Sequence, residues 1–188
     1  MITIGLTGSI SSGKTTAAKI ISKGRGPIFS ADKVVNRLYQ NKNFRKTIAK
    51  RFRIKIDLAF KKSIKDKILK KKENLKKLER IIHPIVRQKM LVFFKENANK
   101  KFLFLEIPLL IESKLTRYFD VIIFIKSNKK LRYKRYKLNR GNTKLFSLLN
   151  KHQLKDSKKM KLCDHIVVNN KSIGVLKKNL LNIIKLYE

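Results

Sequence analysis

Short runs of consecutive apolar residues alternate along this chain with stretches in which apolar residues recur every three or four positions. Four of the runs are rich in Ile, Val, Leu and Phe and are too short for helices, so they predict buried strands. They cover residues 2–7, 102–107, 121–125 and 165–168. A weaker fifth run covers residues 27–30. Uninterrupted apolar runs are typical of parallel strands covered on both faces, which predicts a parallel sheet.

Helical spacing follows most of these strands. The predicted helices cover residues 16–22, 32–39, 129–138 and 172–186. Alternating strands and helices indicate an α/β fold, in which helices cover both faces of one sheet. The sequence therefore predicts a three-layer αβα sandwich.

Two segments interrupt this alternation. Residues 33–100 show mostly helical spacing and almost no strand signal, which predicts a helical lobe. Residues 139–160 are polar, lysine-rich and follow a sheet strand, as a mobile lid would. We expect one domain over residues 1–188, with a core formed by residues 1–32, 101–138 and 161–188.

A glycine-rich segment follows the first predicted strand. Residues 8–15, here called the phosphate loop, read GSISSGKT and match the pattern GxxxxGK[ST] in full. Such a loop wraps backbone N–H groups around phosphate oxygens, and the following helix adds its positive end. Lys14 should reach the β and γ phosphates, and the Thr15 hydroxyl should ligate Mg²⁺. The loop predicts binding of a nucleoside triphosphate.

The chain offers few clues to the fate of the terminal phosphate. It is short for a motor protein, and it has no Asn-Lys-x-Asp motif that would select guanine. A small kinase fits one sheet, one helical acceptor lobe and one lid. In such an enzyme the lid excludes water, so that the phosphoryl group goes to the acceptor.

Three side chains are candidates for the acceptor side. Asp32 follows the second strand, where it could accept a proton, order Mg²⁺ through water or cap a helix. His83 precedes Pro84, which should break the preceding helix or begin a new one, and a lone histidine is more often a packing or capping residue than a ligand contact. Glu106 lies near the end of a buried strand, where it could hold a metal-bound water or pair with a lysine at the rim.

Basic residues greatly outnumber acidic ones, with 48 Lys and Arg against 12 Asp and Glu, a formal net charge of +36. Such a field attracts nucleic acid, acidic membranes and polyanionic metabolites. The excess is mostly Lys in a chain also rich in Ile and Asn, and A/T-rich codons explain that bias. The basic residues are spread along the chain without an aromatic-rich RNA motif, so we expect no dedicated nucleic-acid partner.

The single cysteine and the length of the apolar runs indicate the cellular compartment. Cys163 stands alone, so it cannot form an internal disulfide, and its apolar neighbours predict a buried core thiol and not a nucleophile. No apolar run approaches the roughly 20 residues that a membrane span needs. We expect a cytoplasmic protein that does not enter the membrane.

Together these motifs give the chain a resemblance to the dephospho-coenzyme A kinase family, which catalyses the last step of coenzyme A synthesis. The order and spacing of the matching motifs run through almost the whole chain. The motifs are residues 7–16, Ser30-Ala31-Asp32, Ile82-His83-Pro84, residues 107–112 with the sequence IPLLIE, Gln153 with Lys159, Cys163-Asp164 and Val168-Asn169.

The resemblance implies a P-loop kinase that uses ATP to phosphorylate the ribose 3′-hydroxyl of dephospho-coenzyme A. It makes Asp32 the general base, puts His83 and Glu112 in the acceptor pocket, and puts Arg140 in a lid that closes on the phosphates. Asn169 falls near the adenine of ATP. The residues implied to bind ATP are Gly8, Ser11, Ser12, Gly13, Lys14, Thr15, Thr16 and Asn169, and Thr15 and Glu106 would serve Mg²⁺.

Some positions differ from the family pattern. Glycine is frequent in the family where Ser9 and Ser11 stand, and serine fits there if its φ is negative. Arg135 and Arg140 are five residues apart, where the family spacing is four. The expected substrates are ATP and dephospho-coenzyme A, and we expect a monomer or weak homo-oligomer. Two alternatives are another small nucleoside or nucleotide kinase and a basic P-loop ATPase that binds nucleic acid.

Overall fold

A five-stranded, entirely parallel sheet organises the larger part of the chain. The computed structural model describes residues 1–139 and 141–188. The strand order is β2-β3-β1-β4-β5. The strands are β1 Ile2–Thr7, β2 Ile28–Ser30, β3 Phe102–Glu106, β4 Val121–Lys126 and β5 His165–Val168. All five coincide closely with the predicted apolar runs, and β1 lies at the centre of the sheet.

Helices connect the strands. They are α1 Lys14–Ser22, α2 Ala31–Leu38, α3 Lys42–Phe52, α4 Phe60–Lys70, α5 Glu73–Glu96, α6 Lys129–Leu138, α7 Thr143–His152, α8 Asp156–Met160 and α9 Ile173–Ile184. A 3₁₀ turn covers Thr116–Tyr118. None of the helices in the described ranges has the length and hydropathy to cross a bilayer.

Both faces of the sheet are covered, which confirms the predicted αβα sandwich. On one face, α1 and α9 bury Ile21 and Leu180 against strand residues such as Ile4 and Ile123. On the other face Gly5 leaves room for Leu110 and Phe119, whose atoms would lie 2.8 and 2.9 Å from an added Cβ. Alternate side chains of each strand therefore pack into two separate apolar layers, one on each face of the sheet.

The chain divides into two compact units. The sheet unit comprises Met1–Ser30 and Phe93–Glu188, and the helical unit comprises Ala31–Val92. Within the helical unit, Asn41 caps α3 by accepting a 2.9 Å hydrogen bond from Phe44 N. The buried side chains of α3 and α4 recur every four residues, which explains why these basic segments fold as amphipathic helices. They are Phe44, Ile48, Phe52, Phe60, Ile64 and Ile68.

The prediction that Pro84 would break or begin a helix was wrong. Helix α5 runs from Glu73 to Glu96 with Pro84 inside it. Proline in a helix interior removes one hydrogen bond and costs about 3 kcal/mol. The helix buries an apolar face that continues on both sides of the proline, and each buried side chain stabilises by about 1.5–3 kcal/mol. These side chains are Leu75, Leu78, Ile82, Val86 and Met90.

Strand β5 forms one edge of the sheet and carries apolar side chains in solvent. Val167 points into the core, whereas Ile166 and Val168 are 48% and 45% exposed. Alternation of side chains along a strand explains the contrast between these neighbours.

The phosphate loop bends sharply between β1 and α1. Gly8 and Gly13 have φ values of 146° and 100°, which glycine adopts readily. Ser11 also has a positive φ, 57°, so the condition that its φ be negative is not met. A side chain in this left-handed region costs about 1–2 kcal/mol. Ser9 is not among the positive-φ residues of the described chain.

We predict that Ile123→Ala lowers the free energy of unfolding by about 2–5 kcal/mol, because Ile123 is fully buried and its truncation leaves a cavity. The measurement is equilibrium denaturation in urea. Ile166→Ala is the matched control: half exposed, it should cost well under about 1 kcal/mol. Equal losses at the two positions would contradict this account of the core.

We predict that Ser11→Gly stabilises the free protein by up to about 1 kcal/mol, because glycine relieves the left-handed backbone. The matched control is Ser147→Gly, at an exposed position inside α7, which should destabilise by about 0.5 kcal/mol. Thermal unfolding of both variants shows whether each substitution raises or lowers the stability of the protein. Destabilisation at both positions would show that Ser11 is not strained.

Candidate active site

The phosphate loop is held tightly against its neighbours in the sheet unit. Helix α1 begins at Lys14 with Gly13 as its N-cap, so the loop ends at a helix N-terminus as predicted. A Cβ added at Gly8 would collide with Ile125 O, and one at Gly13 would collide with Asn169 Nδ2. Both glycines are therefore required by close approach as well as by their φ values.

Lys14 lies folded over this loop. Its buried ammonium group donates to Gly8 O at 3.0 Å and to Ser9 O at 2.9 Å. The Ser12 hydroxyl is buried and has no hydrogen-bond partner among the described residues. Because buried polar atoms nearly always have partners, this hydroxyl fits a site that receives ligand oxygens. A cation, an unused hydroxyl and a helix N-terminus together suit a polyphosphate.

Glu106 lies beside the loop at the end of β3. Its side chain accepts from the Thr15 hydroxyl through Oε1 and from the Ser30 hydroxyl through Oε2, the latter at 3.0 Å. The residue is only 2% exposed. Its partners among the described residues are both hydroxyls, and its burial differs from that of the lysine-paired rim carboxylate that one alternative described.

Oxygen donors at this position suit a hard cation. Mg²⁺ binds through one or two protein oxygens together with phosphates and water, and the Thr15 hydroxyl and the Glu106 carboxylate are oxygen donors of that kind. No cluster of three or more His, Cys, Asp or Glu side chains exists in residues 1–139 and 141–188. The Thr15 and Glu106 oxygens are donors of the kind that suits a magnesium ion arriving with a nucleotide.

Asn169 and Arg135 fix the second half of the phosphate loop. Asn169 is buried and donates from Nδ2 to Ser12 O at 2.8 Å. Arg135 donates to Asn169 O at 3.1 Å and to Ser127 Oγ at 3.1 Å, with a longer 3.4 Å contact to Ser12 O. The side chain that the resemblance assigned to the adenine region is therefore engaged with the loop itself.

Glu112 forms a buried ion pair with Lys159. The Nζ–Oε1 distance is 2.9 Å, and the two side chains are 16% and 0% exposed. Leu154 N also donates to Oε1, at 3.2 Å. Glu112 Oε2 is buried without a hydrogen-bond partner among the described residues. Removing either charge would leave the other buried and uncompensated, so the pair joins two distant segments firmly.

Cys163 is half-buried and not part of the apolar core. Its thiol donates to Lys159 O at 3.2 Å. Burial, reinforced by the nearby Asp164 carboxylate, raises the pKa of the Cys163 thiol to about 11. The thiol stays protonated near neutral pH, which agrees with the prediction that Cys163 is not a nucleophile.

Asp32 and His83 belong to the helical unit. Asp32 is exposed in the first turn of α2, two residues after Ser30 in the chain, and His83 is half-buried within α5. Their catalytic and binding roles stay predictions. Arg140 lies outside the described residues. Thr16, another predicted ATP contact, is exposed in the first turn of α1.

Sequence reasoning missed part of the support of the loop. Arg132 and Arg135 are three residues apart on α6, a spacing that puts both side chains on one helix face and that could have drawn attention to them. Gln153 was noted only as part of the family resemblance, and its amide oxygen accepts from Ile10 N at 3.0 Å. The Ser9 hydroxyl donates a hydrogen bond to the Asp156 carboxylate, and no sequence pattern indicated this contact.

Comparison with known proteins identifies the family. A family model described as dephospho-CoA kinase matches residues 2–174. The dephospho-CoA kinase of Bartonella quintana is 34% identical over 187 residues, covering 97% of this chain and 96% of the relative. That of Zymomonas mobilis is 33% identical over 181 residues, covering 94% and 91%. The structure of the dephospho-CoA kinase from Campylobacter jejuni aligns with a TM-score of 0.68 at 26% identity, covering 97% of this chain and 95% of that one. The chain belongs to the dephospho-CoA kinase family.

Proposed function

We propose that this protein transfers the γ-phosphoryl group of ATP to the ribose 3′-hydroxyl of dephospho-CoA, giving CoA and ADP. The observation that carries the proposal is the phosphate loop with its buried Lys14 ammonium beside the Thr15–Glu106 pair. Membership of the dephospho-CoA kinase family supports the choice of acceptor.

The donor half of the reaction rests on the phosphate loop. Lys14 exchanges its two carbonyl partners for the β and γ phosphate oxygens, and the buried Ser12 hydroxyl becomes a further donor to them. Thr15 and Glu106 would hold Mg²⁺, the latter through water. When bound, Mg²⁺ would neutralise negative charge on the phosphate oxygens.

The acceptor half needs a group that removes a proton. Asp32 accepts the proton of the 3′-hydroxyl as the new O–P bond forms and the bond to the leaving ADP oxygen breaks. Support comes from chain connectivity, because Asp32 follows Ser30 by two residues and the Ser30 hydroxyl is bonded to Glu106. Ordering of a metal-bound water is the second role open to the same carboxylate.

Other residues complete the proposed site. One oxygen of Glu112 accepts hydrogen bonds from Lys159 and Leu154. Its second oxygen has no hydrogen-bond partner among the described residues and is suited to accept from a hydroxyl or amine of the acceptor. The family resemblance makes His83 a further candidate contact of the acceptor. Arg140 supplies positive charge to the transferring phosphoryl group. It stands at the start of the predicted lid of residues 139–160, and the end of that segment is bonded to the phosphate loop through Gln153 and to Glu112 through Lys159.

We predict that dephospho-CoA stimulates release of ADP from ATP and that the product carries its new phosphate on the 3′ oxygen. A coupled ADP assay and phosphorus NMR of the product measure both. Lys14→Ala is the control for contaminating kinases and should be inactive, because it lacks the phosphate-binding ammonium. Stimulation by nucleosides but not by dephospho-CoA would refute the proposed acceptor, and stimulation by single-stranded RNA alone would indicate a nucleic-acid-dependent ATPase.

We predict that Asp32→Asn lowers kcat by about 10²–10⁴-fold, the range expected for loss of a general base. The KM for ATP should stay within about twofold, because the phosphate loop is intact. Asp66→Asn, at an exposed position on α4, is the matched control and should leave kcat unchanged. If Asp32→Asn lowers only the melting temperature, the carboxylate stabilises the start of α2 and has no part in proton transfer.

A further inference from the structure

The first turn of the phosphate loop is held by residues far away in the chain. Ile10 N donates to Gln153 Oε1 at 3.0 Å, and the Ser9 hydroxyl donates to the Asp156 carboxylate. Both bonds join positions more than 140 residues apart in sequence. Neither bond forms through local turn geometry, so both depend on the exact placement of residues 153–156.

A buried ion pair fixes that placement. Glu112 Oε1 accepts from Leu154 N, the neighbour of Gln153, and from the fully buried Lys159 Nζ, three residues after Asp156. These two anchors flank the segment that contacts the loop. Separating a buried pair leaves an uncompensated charge and is strongly destabilising, so the Glu112–Lys159 pair holds Gln153 and Asp156 in place beside the loop.

Arg132 supports the same turn from α6. Its guanidinium donates to Asn150 Oδ1 at 2.8 Å and to Ser127 O at 3.1 Å, with a 3.4 Å contact to Ile10 O. Burial lowers the pKa of Arg132, and the nearby Asp156 carboxylate opposes that shift.

We propose that Gln153 and Asp156, anchored by the Glu112–Lys159 pair, are positioning residues that preorganise the phosphate loop for nucleotide. We call these four residues the loop clamp. The proposal rests only on the nucleotide-binding half of the proposed function. A loop already held in its binding conformation loses less entropy when nucleotide arrives, so the clamp raises affinity. The same gain applies to ground state and transition state, so kcat does not depend on it.

The first test uses Gln153→Ala. Loss of one hydrogen bond to the loop should raise the Kd for ADP by about three- to tenfold, measured calorimetrically without any acceptor. In the free chain, hydrogen exchange of the Ile10 amide should accelerate about tenfold, because its acceptor is gone. With ATP and dephospho-CoA, KM for ATP should rise by the same factor as Kd while kcat stays within about twofold.

The second test separates hydrogen bonding from charge at Asp156. Asp156→Asn and Asp156→Ala both remove the charge, but only Asn keeps an acceptor for the Ser9 hydroxyl. The Ala variant should bind ADP about three- to tenfold more weakly than the Asn variant. Ser9→Ala should abolish that difference, because it removes the donor. Equal affinities of the Asn and Ala variants in the wild-type Ser9 background would overturn the role of Asp156.

Asp120→Ala controls for general destabilisation. Asp120 accepts from Thr3 N at 2.7 Å and Thr3 Oγ1 at 2.8 Å, at the end of β1 opposite the phosphate loop. This variant should lower the melting temperature and leave the Kd for ADP unchanged. If Gln153→Ala behaves in the same way, or changes kcat alone, the clamp is only structural and the proposal fails. Normal clamp effects on ADP, without phosphorylation of dephospho-CoA, would refute the proposed acceptor alone.

Discussion

A buried carboxylate that must be stabilised by hydrogen bonds holds together the end of the sheet that carries the phosphate loop. Glu106 is almost wholly removed from water, and an ionised carboxylate there is costly unless donors surround it. The donors are the Thr15 hydroxyl, at the start of α1, and the Ser30 hydroxyl, at the end of β2. One side chain thus joins the ends of β2 and β3 to the phosphate loop, and the same contacts fix the two oxygen donors that we propose for Mg²⁺.

The strands and their parallel arrangement could be predicted because short, uninterrupted apolar runs are typical of parallel strands buried on both faces. The phosphate loop was equally clear, since it needs a strand, glycines and a helix in fixed order. Pro84 shows where local rules fail. The cost of a proline inside a helix, a few kcal/mol, was outweighed by burial of the apolar face of α5. That face can be recognised in full only when the helix is seen to continue past the proline. The backbone of Ser11 is a second such case, because the loop imposes a positive φ that serine rarely adopts.

The site was predicted unevenly. Lys14, Thr15 and Glu106 could be named as candidates from the chemistry of phosphate and magnesium, whereas the contacts of Gln153 and Asp156 with the loop could not be found that way. Their partners in the loop are a backbone N–H and a serine hydroxyl, and neither leaves a sequence pattern that points to a residue so far along the chain. The Glu112–Lys159 pair was noted as two separate motifs, and only tertiary structure shows that they are one contact.

The large positive charge has little to do with these interior contacts. Three basic side chains, Lys14, Arg132 and Lys159, are buried among the described residues, and the great majority of the others remain in solvent. Strand β5 gives that surface charge a consequence for how molecules of the protein meet. An edge strand with exposed Ile166 and Val168 can pair with a strand of a second molecule. Mutual repulsion between copies carrying a formal charge of +36 keeps such edges apart, so the colloidal stability of concentrated solutions depends on low ionic strength.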